Sequence, residues 1–197
     1  MHALIILLMF EPSGIITITT DFGAADGYSG VMEAVVISRF KYGRIVRITD
    51  SIPPHDVRAG AWVLMNSCPY FPEGTVHIAV VDPGVGTDRK IIVALAGGHL
   101  FVAPDNGLVS FVLKRLLLKE ARVLENMSFS LSEISGTFHG RDIIAPAAAA
   151  LAYGKMRFEE VGRLTEIETI GFPECSRREK EIEGEVIYRD LFGNLIT

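Results

Sequence analysis

The segment "VVDPGVGTDRK" sets a carboxylate, Asp82, and a guanidinium, Arg89, on a glycine-bearing turn between two apolar runs. Polar groups of the same kind recur in other loops: Asp21 and Asp26 in "TTDFGAADGY", His55 in "SIPPHD" and His139 in "TFHGRD". The oxygen and imidazole donors of Asp21, Asp26, His55, Asp82 and His139 are of types that suit several divalent ions. No HExxH-like pair fixes two of them on one helix face, which leaves a metal-dependent hydrolase as a minority reading. Each residue also has a purely structural use. Asp21 and Asp26 can cap the helix that follows, Asp82 before Pro-Gly is good turn chemistry, and His55 can simply start a helix. Arg89 can be a surface arginine, and His139 a satisfied core histidine.

Familiar motifs do not absorb these loops. "GVGTDR" lacks the third glycine of a dinucleotide fingerprint and leads into a strand, not a helix. "DFG" at residues 21–23 has no catalytic-loop or glycine-loop companion of a kinase, and there is no Gly-x-Ser-x-Gly elbow or Walker lysine.

The elements that must position the loops follow from periodicity. "IITITTDF", "GRIVRIT" and "TVHIAVV" read as strands, and "KIIVALA", "GG" and "HLFVAP" as a hairpin turning on Gly97 and Gly98. Helical spacing is expected over residues 27–40 with Val31, Val35 and Val36 inward. It is expected again over 57–68, behind an Asp56 cap, with Val57, Ala61, Leu64, Met65 and Cys68 inward. Two more helices are expected at 108–119 and 143–153. Strands alternating with helices imply an α/β fold, a parallel-rich sheet with helices on both faces. In such sheets ligands bind beyond the carboxyl ends of the strands, where these polar loops fall.

The chain has 197 residues, 49% of them hydrophobic, enough to bury a real core. A formal charge of -5 gives no electrostatic footprint for a nucleic-acid backbone. Cys68 and Cys175 are the two cysteines, too few and too far apart for a disulfide framework or a zinc site, which fits a reducing cytoplasm. The apolar run at residues 3–10 is too short to span a bilayer, lacks a basic flank and has no small-x-small cleavage pattern. It is read as an extra strand or as the product of a start codon upstream of the true one, and no membrane association is expected. The expected organisation is an apolar extension at 1–14, an α/β domain at 15–172 and the start of an antiparallel β domain at 173–197. That second domain looks unfinished at "DLFGNLIT", and the mixed-charge run 177–183 reads as a solvated face.

Six segments in order, "TTDFG", "IPPHDVRAGAWVL", "FPEGTVHIAVVDPGVGTDRK", "FVAPDNGL", "TFHGRDIIAPAAAALA" and "DLFGNLIT", resemble the S-adenosylmethionine (SAM) hydrolases. These are also called SAM hydroxide adenosyltransferases, formerly DUF62 proteins, and are related to SAM-dependent fluorinases and chlorinases. The resemblance covers residues 15–197. It implies hydrolysis of SAM to adenosine and methionine, with no cofactor and no metal, in a homotrimer whose sites lie between subunits. It also implies a water-activating triad of Asp82, Arg89 and His139.

The chemistry to be served is attack of water or hydroxide on the ribose C5′ of SAM. Sulfur leaves neutral and needs no acid, so the difficulty lies with the nucleophile. A carboxylate can accept or orient the water's proton, while Arg89 and a histidinium at His139 would favour hydroxide. A guanidinium holds its proton too tightly to be the base. The resemblance further places Asp21 on the ribose diol, Asp26 and Asp190 near the methionine amino group, Phe192 and Asn194 at the adenine, and His55 on the pocket wall. A halogenating relative carries a tyrosine where this chain has Asp82, and a carboxylate there would repel a halide. Asp50 in "ITDS" stands where the family more often has histidine. With the β domain cut short, the remaining rival is a truncated, non-catalytic adenosine- or SAM-binding module.

Overall fold

The computed structural model describes residues 10–197. Six strands, β1 (Ile15–Thr20), β2 (Arg44–Thr49), β3 (Val76–Val80), β4 (Ile91–Ala96), β5 (His99–Pro104) and β6 (Leu118–Val123), form one sheet in the order β2-β1-β3-β5-β4-β6. β2, β1, β3 and β5 run parallel, and β4 is antiparallel to both β5 and β6. Gly97 and Gly98, with φ of 55° and 79°, make the two-residue turn between β4 and β5. Both central positions of such a hairpin turn require positive φ, which glycine adopts without steric cost.

Alternation along β3 explains the two apolar layers. Val76, Ile78 and Val80 face one side, where α1 (Tyr28–Arg39) and α3 (Ala145–Ala152) pack, and Ala79 and Val81 face the other, against α2 (Val57–Ser67). α3 reads "APAAAALA" and is buried along its whole length. A helix without a polar face has to be interior, and alanine lets its backbone approach β1, β3 and α1 closely. Asp56 caps α2 by accepting the Ala59 N–H at 2.9 Å.

β1 connects through α1 to β2 on one side, and β2 connects through α2 to β3 on the other side of β1. The order in which strands are added across the sheet therefore reverses between the parallel neighbours β1 and β3. This topological switch point opens a crevice beyond the carboxyl ends of the two strands.

Two expectations are corrected. Val31 is 43% exposed, whereas Met32 and Val36 are buried. The buried stripe of α1 runs through Ser29, Met32 and Val36, and Val31 sits about 100° around the helix from Met32. The helix expected at 108–119 is replaced by turns, a short 3₁₀ turn at Val112–Lys114 and then β6. β4 is buried throughout, so its outer edge carries backbone groups that water cannot serve, and pairing with β6 satisfies them.

Beyond residue 173, β7 (Ser176–Arg178) pairs with β8 (Glu181–Glu183), and β9 (Tyr188–Arg189) with β10 (Leu195–Ile196), both antiparallel. Arg58 on α2 holds Glu185 through two hydrogen bonds of 2.6 and 3.0 Å. The run 177–183 is exposed. Of the apolar start, only Phe10 lies within the described residues, where it has no regular structure and packs against the core; the strand expected there otherwise lies outside them. Among the described residues no helix is long and apolar enough to cross a membrane.

Candidate active site

Asp82 follows β3 and Asp21 follows β1, so the switch point brings the first two carboxylates to one crevice. The 82–89 loop folds as consecutive turns, with Val85 N–H donating to the Asp82 carbonyl and Thr87 N–H to the Gly84 carbonyl, both at 3.2 Å. The loop returns Arg89 onto Asp82. Arg89 Nε donates to Asp82 Oδ1 and Oδ2 at 2.9 and 2.8 Å, and Nη2 also contacts Oδ2. Their side chains are 6% and 10% exposed for Asp82 and Arg89, a desolvated, charge-assisted pair.

His139 arrives from the far side, at the head of the wide turn Gly140–Ile144 that leads into α3. Arg89 Nη2 lies 3.0 Å from His139 Nδ1. A guanidinium only donates, so Nδ1 must be the acceptor and the imidazole carries its proton on Nε2. Burial, followed by the Arg89 charge, holds the imidazole below its ordinary range, with Asp82 and Asp142 opposing. The histidinium expected here is thus corrected to a neutral ring, because a cation already occupies its Nδ1 side.

Asp82 and His139 line a cleft of about 280 Å³ together with Asp21 and His55, while Arg89, which joins the two, is not among its lining residues. Asp21 Oδ2 accepts the His55 N–H at 2.8 Å. His55 has φ of 66°, a left-handed conformation that costs a side-chain-bearing residue free energy and is held here by that bond. Asp50 points away from the cleft into Arg47 at 2.9 Å, while its carbonyl accepts the Gly23 N–H and braces the Asp21 loop.

The remaining candidates stand elsewhere. Asp26 is exposed on the loop before α1 and does not line the cleft; nor does it cap α1, whose N-cap is Gly27 with no side-chain bond. Asp190 closes the β9–β10 turn by accepting the Phe192 and Asn194 N–H groups at 2.9 and 2.8 Å and the Asn194 side-chain amide at 2.6 Å. The Asn194 amide, ahead of those backbone donors, holds the Asp190 carboxyl below its usual range. Asp190 and Phe192 line a second cleft with Thr49, Ser51 and Pro53, and Phe192 is 93% exposed. Among the described residues no three His, Cys, Asp or Glu side chains converge as metal ligands.

One wall of the cleft went unread in the sequence. Phe22, Tyr28 and Phe138 pack edge to face, with centroids 5.3 to 6.0 Å apart. Their signal was adjacency: Phe22 follows Asp21, and Phe138 precedes His139.

Comparison with known proteins identifies the family. Residues 16–162 match the SAM hydroxide adenosyltransferase N-terminal domain. The chain is 41% identical over 188 residues to an (R)-S-adenosyl-L-methionine hydrolase of Salinispora tropica, covering 93% of this chain and 71% of that one. It is 28% identical over 213 residues to a fluorinase of Actinoplanes, covering 93% and 70%. Its fold matches the crystal structure of an uncharacterized conserved protein from Thermotoga maritima with a TM-score of 0.86 at 38% identity, covering 92% and 69%.

Proposed function

The chain belongs to the SAM hydroxide adenosyltransferase family, and we propose that it hydrolyses S-adenosyl-L-methionine, in the (R) form for which its similar hydrolases are named, to adenosine and L-methionine. The observation that carries the reading is the Asp82–Arg89–His139 cluster, whose Asp82 and His139 line the switch-point cleft. Water attacks C5′ in line with the C5′–S bond; the bonding pair moves onto sulfur, methionine leaves as a neutral thioether, and one proton is released. Asp82 is the group that orients the water and receives that proton. Arg89 keeps its proton, and the His139 Nδ1 lone pair is engaged by Arg89. The fixed charge of Arg89 stabilises developing hydroxide, and general-base assistance by Asp82 is worth about 10²–10⁴-fold.

Asp21 binds the ribose diol through Oδ1, with Oδ2 already holding His55. His55 flanks the ribose, and the reaction requires no metal and no cofactor. The assembly is a homotrimer in the cytoplasm in which a neighbouring subunit offers Asp190, Phe192 and Asn194, with Asp26 approaching the methionine end. Two observations support this arrangement: an aromatic side chain as exposed as Phe192 fits an adenine stack made across a subunit contact, and about 280 Å³ is at the small end for a ligand of this size. The Asp82 carboxylate disfavours a halide nucleophile, and the chain is less similar to the fluorinase than to the hydrolase.

The test is a chromatographic assay with SAM epimers in H₂¹⁸O, with added chloride and a His139→Ala control. Adenosine labelled at O5′ and lost in the variant is expected. A 5′-chloro product would overturn the choice of nucleophile. Bound but unconverted SAM would move the reading to a binding module.

A further inference from the structure

Asp142 lies three residues beyond His139 in "FHGRD", and its side chain is fully buried although it carries a charge. A buried carboxylate persists where an opposite charge and hydrogen bonds compensate its lost hydration. Arg141 Nε donates to Oδ1 at 2.5 Å and Nη2 to Oδ2 at 3.1 Å, and the Ser135 N–H donates to Oδ2 at 2.8 Å. The backbone adds two bonds: the Asp142 N–H donates to the Phe138 carbonyl at 3.1 Å, and its carbonyl accepts the Leu131 N–H at 2.9 Å. One residue thus ties the incoming segment 131–135 to the turn that presents His139.

The bonds continue toward the cleft. Ser135 Oγ accepts the Thr137 N–H at 3.2 Å, and Thr137 and Phe138 line the cleft directly before His139. The Arg141 guanidinium sits 5.0 Å from the centroid of Phe138. Gly136 abuts the loop that carries the other two groups: a Cβ on Gly86 would stand 2.4 Å from the Gly136 carbonyl oxygen. Gly86 also has φ of 81°. The 82–89 and 135–139 loops therefore meet backbone to backbone, and a shift of either is felt by the Arg89–His139 contact.

We propose that Asp142 is a positioning residue for the hydrolysis, locking the 135–139 loop so that His139 Nδ1 meets Arg89. The inference rests on the reading of Asp82, Arg89 and His139 given above. Asp142→Asn keeps an oxygen for the Ser135 N–H and loses the charge that holds Arg141, while Asp142→Ala loses both.

The experiment measures kcat and KM for both variants, alone and with His139→Ala, together with nitrogen-15 spectra of His139. An ångström of misplacement can cost about 100-fold, so the alanine variant should lose on the order of that in kcat with KM little changed, and the asparagine variant less. In the His139→Ala background Asp142→Ala should cost nothing further. The spectra should show a single Nε2–H tautomer in the parent and a mixture in Asp142→Ala. Should the alanine variant fail to fold, the asparagine variant carries the same measurements. Unchanged kcat, a loss that multiplies undiminished with His139→Ala, or an unaltered tautomer would each overturn the proposal. Full turnover in His139→Ala alone would sink the assignment of His139 to the chemistry instead, and the spectra would still decide whether Asp142 positions its ring.

Discussion

β3 carries an ionisable cluster at each end, and the two behave oppositely. Past its carboxyl end, Asp82 meets Arg89 and His139 in an open cleft. Near its start, His77 Nδ1 bonds the Thr17 hydroxyl at 2.7 Å and its Nε2 lies 3.1 Å from His99 Nδ1. His77 is fully buried and stacks on Phe101 at 4.8 Å, with Phe71 edge-on. Burial, and then His99, pushes its imidazole down to about 3, while burial also lowers His99 against the pull of Glu73. The same side chain is a neutral spacer at one end of the sheet and part of a charged cluster at the other. What separates them is the crevice: loops converge beyond the carboxyl ends at the switch point and leave room for a ligand, whereas the opposite end is sealed by aromatic rings.

The comparison breaks most readily at Asp82. Asp82→Asn is expected to lower kcat by about 10²–10⁴-fold and, by leaving the buried Arg89 charge without its partner, to lower the urea midpoint as well; retained turnover would strip the cleft of its chemistry. At the other end, His77→Ala should cost about 2–4 kcal/mol through the cavity and the orphaned Thr17 hydroxyl. Its kcat below the unfolding transition should match the parent, and a lowered kcat with unchanged stability would bring His77 into the chemistry.

A third contrast uses acid. The unfolded chain protonates His77 near the ordinary 6.5, whereas the folded chain resists until about 3. The unfolded state therefore binds more protons between those values, and stability falls as pH drops through that window, by up to about 1.4 kcal/mol per pH unit from this group. Urea midpoints from pH 7.5 to 4.5 should show the decline, and His77→Gln should flatten it; an equal decline in the variant would assign the acid sensitivity elsewhere. The smallest effect sharpens the cleft side. His55→Gly relieves a left-handed side-chain residue and should gain about 0.5–1 kcal/mol in unfolding measurements while raising KM; a loss of stability would mean the His55 ring contributes more than its backbone costs.

Legibility divided along the same line. The strands of the parallel half, the Gly97–Gly98 hairpin and the Asp56 cap were readable because each rests on local periodicity or turn chemistry. The β6 strand was not, because "LKEARV" is rich in helix-forming residues and only the open edge of β4 makes it a strand. In the site, Asp82, Arg89 and His139 could be named from their motifs. The aromatic wall, the neutral ring of His139 and the buried Asp142 could not, since each depends on which groups share a pocket.

The sequence by itself determined an alternating α/β chain, polar loops at the carboxyl ends of its strands, and the family those loops resemble. These follow from side-chain periods and turn residues a few positions apart. Tertiary structure alone decided that Arg89 stands between Asp82 and His139, 50 residues farther along the chain, and thereby set the proton on His139 Nε2. It also left Asp190 and Phe192 in a different cleft from Asp82. The reason is physical: a hydrogen-bond partner and the loss of hydration are properties of position in space, and burial acts on whatever the fold has gathered there.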